Sequence, residues 1–181
     1  TYFRLVLAVF LFLGGWQIVS AETNELMVRC VAFYNLENVF DTIHDEGKND
    51  YEYLPDGGMK WTSLKYTNKI QNMAYAIAQL GTDEDPRGAA IVGVSEVENI
   101  GCLHDLCKEL KEKHNRNYVP ILLEGPDRRG IDVGLLYNPD MFKPVGQPKG
   151  YELKAHYADG GVVRSRLQLW VSGYMLDDSR K

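Results

Sequence analysis

The chain has 181 residues, of which 45% are hydrophobic and 25% are charged, and its formal net charge is −5. This composition excludes an intrinsically disordered chain and predicts one globular domain with a hydrophobic core. The excess of acidic residues disfavours a protein that binds long nucleic acids non-specifically. Cys30, Cys102 and Cys107 are an odd number of cysteines without C-x-x-C spacing, which excludes a disulfide scaffold and predicts unpaired thiols.

The N-terminus has the pattern of a secretory signal peptide. Arg4 precedes an apolar run, Leu5–Leu13, and the small residues of Val19-Ser20-Ala21 resemble a cleavage site. We therefore predict a signal peptide over residues 1–21 and export to the periplasm or the extracellular space. Because the apolar run is short for a membrane span, we expect no stable span after cleavage; an uncleaved N-terminal anchor is the alternative.

Residues 22–181 are predicted to begin with alternating strands and helices. A long polar segment, Thr42–Gly58, is predicted to be a solvated acidic loop. Ser63 is the expected N-cap of an amphipathic helix with apolar positions at helical spacing over Ile70–Ile77, and Leu103–Leu110 predicts a second helix. The predicted strands are Met27–Tyr34, Ala89–Val94, Tyr118–Leu123, Asp132–Tyr137, Tyr151–His156 and Arg166–Tyr174. The order, which begins β-α-β-α-β-β-β, indicates an α+β fold.

Polar residues stand at the ends of three of these apolar strands. They belong to Tyr34-Asn35-Leu36-Glu37-Asn38, to Val94-Ser95-Glu96 and to Arg129-Gly130-Ile131-Asp132-Val133-Gly134-Leu135-Leu136-Tyr137. Strand ends are where layered α/β proteins commonly place functional residues.

Each motif also has a purely structural interpretation. Asn35 could end its strand in an Asx-turn, and Glu96 could be a strand-end residue in a salt bridge. Asp132 could pair with the neighbouring arginines Arg128 and Arg129. Glu98 is interpreted as a solvated loop acid. The alternative is a residue that supports Glu96, with which it would share a face if the strand continued.

In order and spacing, the three motifs resemble the endonuclease/exonuclease/phosphatase family, which includes pancreatic-type deoxyribonucleases, apurinic endonucleases and neutral sphingomyelinases. The resemblance extends over residues 28–173. It includes Ser165-Arg166-Leu167, which is similar to a Thr/Ser-Arg step of secreted bacterial members, and the stretch from Lys48 to Thr62, which is similar to their first long loop. The resemblance implies a four-layer α/β/β/α sandwich, of which this chain would form the N-terminal portion.

The resemblance further implies a metal-dependent phosphoesterase that cleaves a phosphodiester or a phosphomonoester. Glu96 would be the direct ligand of Mg²⁺, or of Mn²⁺, since Mg²⁺ prefers one or two carboxylates together with water. Asn35 would be the second catalytic residue, because an amide can hydrogen-bond a phosphate without adding negative charge. Arg129 and Arg166 would bind the phosphate of the substrate. The substrate could be a nucleic acid, a nucleotide or a phospholipid head group.

Three later elements of the family pattern do not occur in this sequence. They are an internal histidine within an apolar strand, a Gly-Asp-x-Asn strand end and a terminal Asp-His pair. We therefore interpret residues 22–181 as the N-terminal part of a truncated domain, and we expect it to hydrolyse esters poorly by itself. A catalytically dead secreted domain that binds a partner is the alternative. The sequence predicts no particular oligomeric state.

Overall fold

A four-stranded sheet forms the centre of the fold. The structure, a computed structural model, describes residues 27–153, 155–163 and 166–177, so the predicted signal peptide lies outside the described residues. The strands of the sheet are Val31–Val39 (β1), Ile91–Val97 (β2), Val119–Leu122 (β3) and Asp132–Tyr137 (β4). Their order is β1-β2-β4-β3, with β1 and β2 parallel and the other two pairs antiparallel. The carboxyl ends of β1 and β2 and the start of β4 therefore meet at one edge of the sheet.

Two helices, Ser63–Gln79 (α1) and Ile100–His114 (α2), cross between these strands. The first N-cap is Thr62 and not the predicted Ser63, because the Thr62 hydroxyl accepts the amide hydrogen of Lys65 at 3.4 Å. Asn99 caps α2 by accepting the amide hydrogen of Cys102 at 3.0 Å. Capping side chains of this kind satisfy backbone donors that have no partner within the helix, and each stabilises its helix by about 1 kcal/mol.

The hydrophobic core lies between the helices and one face of the sheet. It contains Leu36, Val92, Val94 and Leu136 from the sheet. The helices contribute the fully or nearly fully buried side chains of Ile70, Ala74, Ile77, Leu103, Leu106 and Leu110. On the other face of the sheet, Val31 and Phe33 are 62% and 68% exposed. All three cysteines are unpaired, as predicted.

After β4, the described residues form short strands that pair in three separate ribbons. These strands are Phe142–Pro144 (β5), Lys149–Tyr151 (β6), Ala155–His156 (β7), Val162–Val163 (β8), Gln168–Trp170 (β9) and Gly173–Met175 (β10). The ribbons are β5 with β10, β6 with β9, and β7 with β8. The two long strands predicted here, Tyr151–His156 and Arg166–Tyr174, are wrong because the two halves of each pair with different partners.

The architecture confirms the predicted α+β class, with a mixed sheet and helices on one face. The four-layer arrangement stays a prediction. Over the described ranges, no helix combines the length and the apolar character that crossing a membrane requires.

Candidate active site

Strands β1 and β2 both depart from regular pairing at the edge where they end. Asn35 lies opposite Ser95, and the next regular pair is Val39 with Val97, so three residues of β1 lie between these pairs opposite one residue of β2. The sequence predicted that the first strand ends at Tyr34. It continues to Val39 because the irregular segment lets pairing with β2 resume.

The residues at these irregularities have left-handed backbone conformations. Glu37 and Asn38 have φ angles of 55° and 61°, and Glu96 has a φ angle of 63°. Such angles are uncommon for residues other than glycine and cost about 1–3 kcal/mol each, so they persist only where the surrounding structure enforces them. The bulge at Glu96 also breaks the alternation of β2, which is why Glu96 and Glu98 do not share one environment.

Asn35 is exposed, and its side-chain oxygen is fixed by two donors. The Asn35 Oδ1 atom accepts the amide hydrogen of Glu37 at 3.0 Å and the hydroxyl hydrogen of Ser95 at 3.2 Å. The first bond is the Asx-turn that the structural interpretation of Asn35 predicted. Within the described ranges the Asn35 Nδ2 group has no partner, so it is left available to donate to an oxygen atom outside the protein.

Glu96 lies beside Arg166, one of the two arginines that the sequence selected. The Nη2 atom of Arg166 is 3.6 Å from Oε1 of Glu96, and the Glu96 side chain is 23% exposed. The salt-bridge interpretation of Glu96 is therefore consistent with the structure. Despite this contact, the Glu96 side chain stays partly accessible at the edge of the sheet.

Lys69 of α1 is a residue of this site that the sequence analysis missed. Its ammonium group donates to the carbonyl oxygen of Glu37 at 2.8 Å, which holds the irregular segment of β1 against the helix. Burial lowers the pKa of Lys69, while the carboxylates of Glu37 and Glu96 act in the opposite direction. Lys65 and Lys69 are four residues apart and so share one face of α1, a pattern that could have drawn attention to them.

Arg129 and Glu96 both influence the pKa of Tyr53. The Tyr53 ring stacks on the buried Phe40, with 4.0 Å between ring centroids. Burial and the carboxylate of Glu52 raise the pKa of Tyr53, Arg129 lowers it, and Glu96 raises it.

Of the four site residues selected from the sequence, the structure brings Asn35 and Glu96 to the neighbouring ends of β1 and β2 and places Arg166 beside Glu96. Arg129 forms its ion pair with Asp127 instead.

Asp132 does not form the salt bridge expected for it. Arg129 lies instead beside Asp127, with 3.8 Å between Nε and Oδ1. The Asp132 side chain is 1% exposed, and neither of its carboxyl oxygens has a hydrogen-bond partner of normal geometry among the described residues. Burial raises the pKa of Asp132 to about 7, and the nearby carboxylate of Glu124 adds to this effect.

Two acids that were expected to be solvated are buried. Glu98 is 2% exposed. Its backbone N–H donates to the carbonyl oxygen of Val39, which holds this segment at the end of β1. Its carboxylate accepts the amide hydrogen of Asp41 at 2.7 Å. Burial raises the pKa of Glu98 to about 8, although the hydrogen bond from Asp41 acts in the opposite direction.

Asp50, from the loop predicted to be solvated, is also buried, at 1% exposure. Its carboxylate accepts the amide hydrogen of Asp45 at 2.8 Å.

A family model for the endonuclease/exonuclease/phosphatase family matches residues 30–180. The chain belongs to the endonuclease/exonuclease/phosphatase family. No curated protein matches the chain. The family assignment confirms the resemblance drawn from the three motifs. It also indicates phosphoesterase or nuclease-like hydrolysis, since members of the family are usually hydrolytic enzymes that often use divalent metals.

Two places at this end of the family domain could hold a metal ion. Ligand atoms of Asp41, Glu98 and Cys102 all lie within 4.8 Å of one another. This group suits Mg²⁺ poorly, because burial raises the pKa of the Cys102 thiol to about 12 and Mg²⁺ prefers oxygen ligands. Glu96 fits Mg²⁺ better in kind, since its side chain offers oxygen ligands and is partly exposed.

Proposed function

We propose that this domain is a divalent-metal-dependent phosphoesterase whose reaction centre is the edge formed by Asn35, Glu96 and Arg166. The observation that carries the proposal is the pair of irregular strand ends. Three residues with left-handed backbone conformations, Glu37, Asn38 and Glu96, cluster there beside two cations, in a family whose members hydrolyse phosphate esters. Backbone strain of this kind concentrates at functional sites.

Each residue would have a distinct role. Glu96 would bind Mg²⁺ or Mn²⁺, which supplies neutralisation of charge on the phosphoryl oxygens. The free amide group of Asn35 would donate a hydrogen bond to one of those oxygens, in a position fixed by its bonds to Glu37 and Ser95. Arg166 and Arg129 would bind the remaining oxygens, for which a guanidinium group is well suited.

The proposal extends to location and substrate. The signal-peptide pattern of residues 1–21 supports export to the periplasm or the extracellular space. The substrate would be a phosphate ester. A nucleotide or a phospholipid head group suits the net charge of −5 better than a long nucleic acid, which the protein would repel.

Hydrolysis of bis-p-nitrophenyl phosphate and p-nitrophenyl phosphate tests this function, because the nitrophenolate leaving group needs no proton. The rate would be measured in Mg²⁺, in Mn²⁺ and in EDTA, for the chain and for Glu96→Gln. Glu84→Gln, which changes an exposed acid in a turn, is the matched control. We expect slow turnover that requires the metal and decreases at least about tenfold in Glu96→Gln alone, the cost typical of one lost catalytic interaction.

A rate that is the same in EDTA, or the same in both glutamate variants, would contradict the proposal. Absence of turnover with both metals would favour the alternative of a secreted domain that binds a partner without catalysis.

A further inference from the structure

A pocket of about 430 Å³ lies between the loop that precedes β4 and the β7–β8 hairpin. Its lining residues are Asp127, Arg128, Arg129, Tyr157 and Val162. Pockets that bind small molecules in proteins usually have volumes of about 300–1,000 Å³, so this one is large enough for a ligand of modest size. None of these residues except Arg129 belongs to the site proposed above.

One wall of the pocket is cationic. The carboxylate of Asp127 is already engaged, because its Oδ1 atom accepts the amide hydrogen of Arg129 at 2.8 Å. The backbone of Arg128 is anchored by its carbonyl oxygen, which accepts the amide hydrogen of Asn49 at 2.8 Å, while its exposed side chain has no partner in the described ranges. The wall holds two guanidinium groups and one carboxylate, which lies 3.8 Å from Nε of Arg129, so it keeps a net positive charge on a protein whose overall charge is −5.

The opposite wall is aromatic and aliphatic. Tyr157 and Val162 are each 61% exposed. Two hydrogen bonds in the turn of the hairpin hold the backbone of Tyr157 in place. The N–H of Tyr157 donates to the carbonyl oxygen of Gly161 at 2.7 Å, and the carbonyl oxygen of Tyr157 accepts the amide hydrogen of Gly160 at 2.9 Å. Gly160 has a φ angle of 86°, which a glycine adopts without strain. The Tyr157 ring stacks on no other aromatic ring among the described residues, so one of its faces can accept a planar ligand.

The pocket shares Arg129 with the residues assigned to phosphate binding above. Arg129 lines the pocket and lowers the pKa of Tyr53, which Glu96 raises. A ligand whose anionic end contacts Arg129 would therefore contact a residue that both sites share.

We propose that this pocket binds a mononucleotide, with the base stacked on Tyr157 and the phosphate held by Arg128 and Arg129. A nucleotide combines an anionic group with a flat aromatic group, which is the combination that the two walls present. An inositol phosphate has no aromatic group, and a diacyl lipid would need a larger apolar surface than Tyr157 and Val162 provide. That the bound nucleotide is the substrate rests on the function proposed above.

Binding in EDTA, where no metal-dependent turnover takes place, tests the pocket separately from hydrolysis. Calorimetry would compare adenosine 5′-monophosphate, ribose 5-phosphate and inositol 1-phosphate. We expect the nucleotide to bind about tenfold more tightly than the other two, which is the effect of one stacked base. Tyr157→Leu should remove that tenfold preference, and Tyr157→Phe should keep it.

Arg128→Met should weaken all three ligands alike, because it removes a contact to the phosphate that they share. Matched controls are Tyr174→Leu, at a tyrosine that is 67% exposed on β10, and Lys111→Met, at an exposed cation of α2. Both controls should bind like the unaltered chain. Tyr157 and Arg128 are exposed and lie on different segments, so at least one variant is expected to fold normally.

Equal affinity for the three ligands, no binding, or an unaltered preference in Tyr157→Leu would overturn the inference. Glu96→Gln separates the two proposals. If it binds the nucleotide normally while the chain shows no metal-dependent hydrolysis, the pocket stands and the proposed function fails. If hydrolysis requires the metal but the nucleotide is not preferred, the function stands and the pocket assignment fails.

Discussion

Replacement of Asp132 by asparagine should make the protein more stable at alkaline pH and leave it unchanged near pH 4. The Asp132 carboxyl group has a pKa of about 7 in the folded protein, mainly because of burial, against 3.8 for an exposed aspartate. At pH values between these two pKa values, the Asp132 carboxyl group is ionised in the unfolded chain but protonated in the folded protein. Unfolding then releases a proton, so the free energy of unfolding decreases as the pH rises through this window.

The expected gain in stability follows from the difference between the folded and unfolded pKa values of Asp132. Each pH unit is worth about 1.4 kcal/mol for one group, so the roughly three units give an upper bound of about 4 kcal/mol at pH 8. Asparagine has the shape of the neutral acid and does not titrate, so Asp132→Asn should gain about 2–4 kcal/mol over the unaltered chain at pH 8.

Urea unfolding in EDTA at pH 4, 6 and 8 measures this difference. Asp83→Asn, at an exposed acid in the turn after α1, is the control and should follow the unaltered chain at every pH. The reasoning is refuted if Asp132→Asn keeps the full pH dependence of the unaltered chain, or if it is less stable than that chain at pH 8.

Three further changes have defined outcomes. In urea unfolding, Glu98→Gln should be more stable than the unaltered chain at pH 9 but not at pH 4.5. Burial raises the pKa of Glu98 in the folded protein from 4.5 to about 8, so the unaltered chain loses stability as the pH rises between these values. Lys69→Met should lower the metal-dependent hydrolysis rate more than Lys69→Arg does, since only arginine can replace the bond to the Glu37 carbonyl oxygen. Thr62→Ala should lower the free energy of unfolding by about 1 kcal/mol through loss of the helix cap, with Thr67→Ala, at an exposed site within α1, as its control.

The secondary structure of the first half of the domain was predictable because its elements have strong local patterns. The apolar spacing in α1 and the continuous apolar run of β2 each identify an element without reference to the rest of the chain. The segment after β4 has weaker patterns, and its strands are defined by partners far away in sequence. Periodicity therefore predicted strands in roughly the right places but joined segments that belong to different ribbons.

The candidate site was predictable in its residue types but not in its geometry. The motifs selected Asn35, Glu96, Arg129 and Arg166, and the structure brings Glu96 within 3.6 Å of Arg166. No local pattern could show that Lys69 crosses from α1 to the Glu37 carbonyl oxygen, because that contact depends on the tertiary packing of the helix. The burial of Glu98 was missed for a similar reason, since a glutamate at the end of a strand is normally solvated.

The melting temperature of the chain in Mg²⁺ and in EDTA tests the central claim, that Glu96 binds the divalent metal, most directly. A ligand that binds only the folded protein must stabilise it, by about 1.4 kcal/mol when its concentration is about ten times its dissociation constant. We predict that Mg²⁺ raises the melting temperature of the chain and of Glu98→Gln, but not that of Glu96→Gln. Equal stabilisation of the chain and of Glu96→Gln, or loss of stabilisation in Glu98→Gln alone, would place the metal elsewhere and contradict the account.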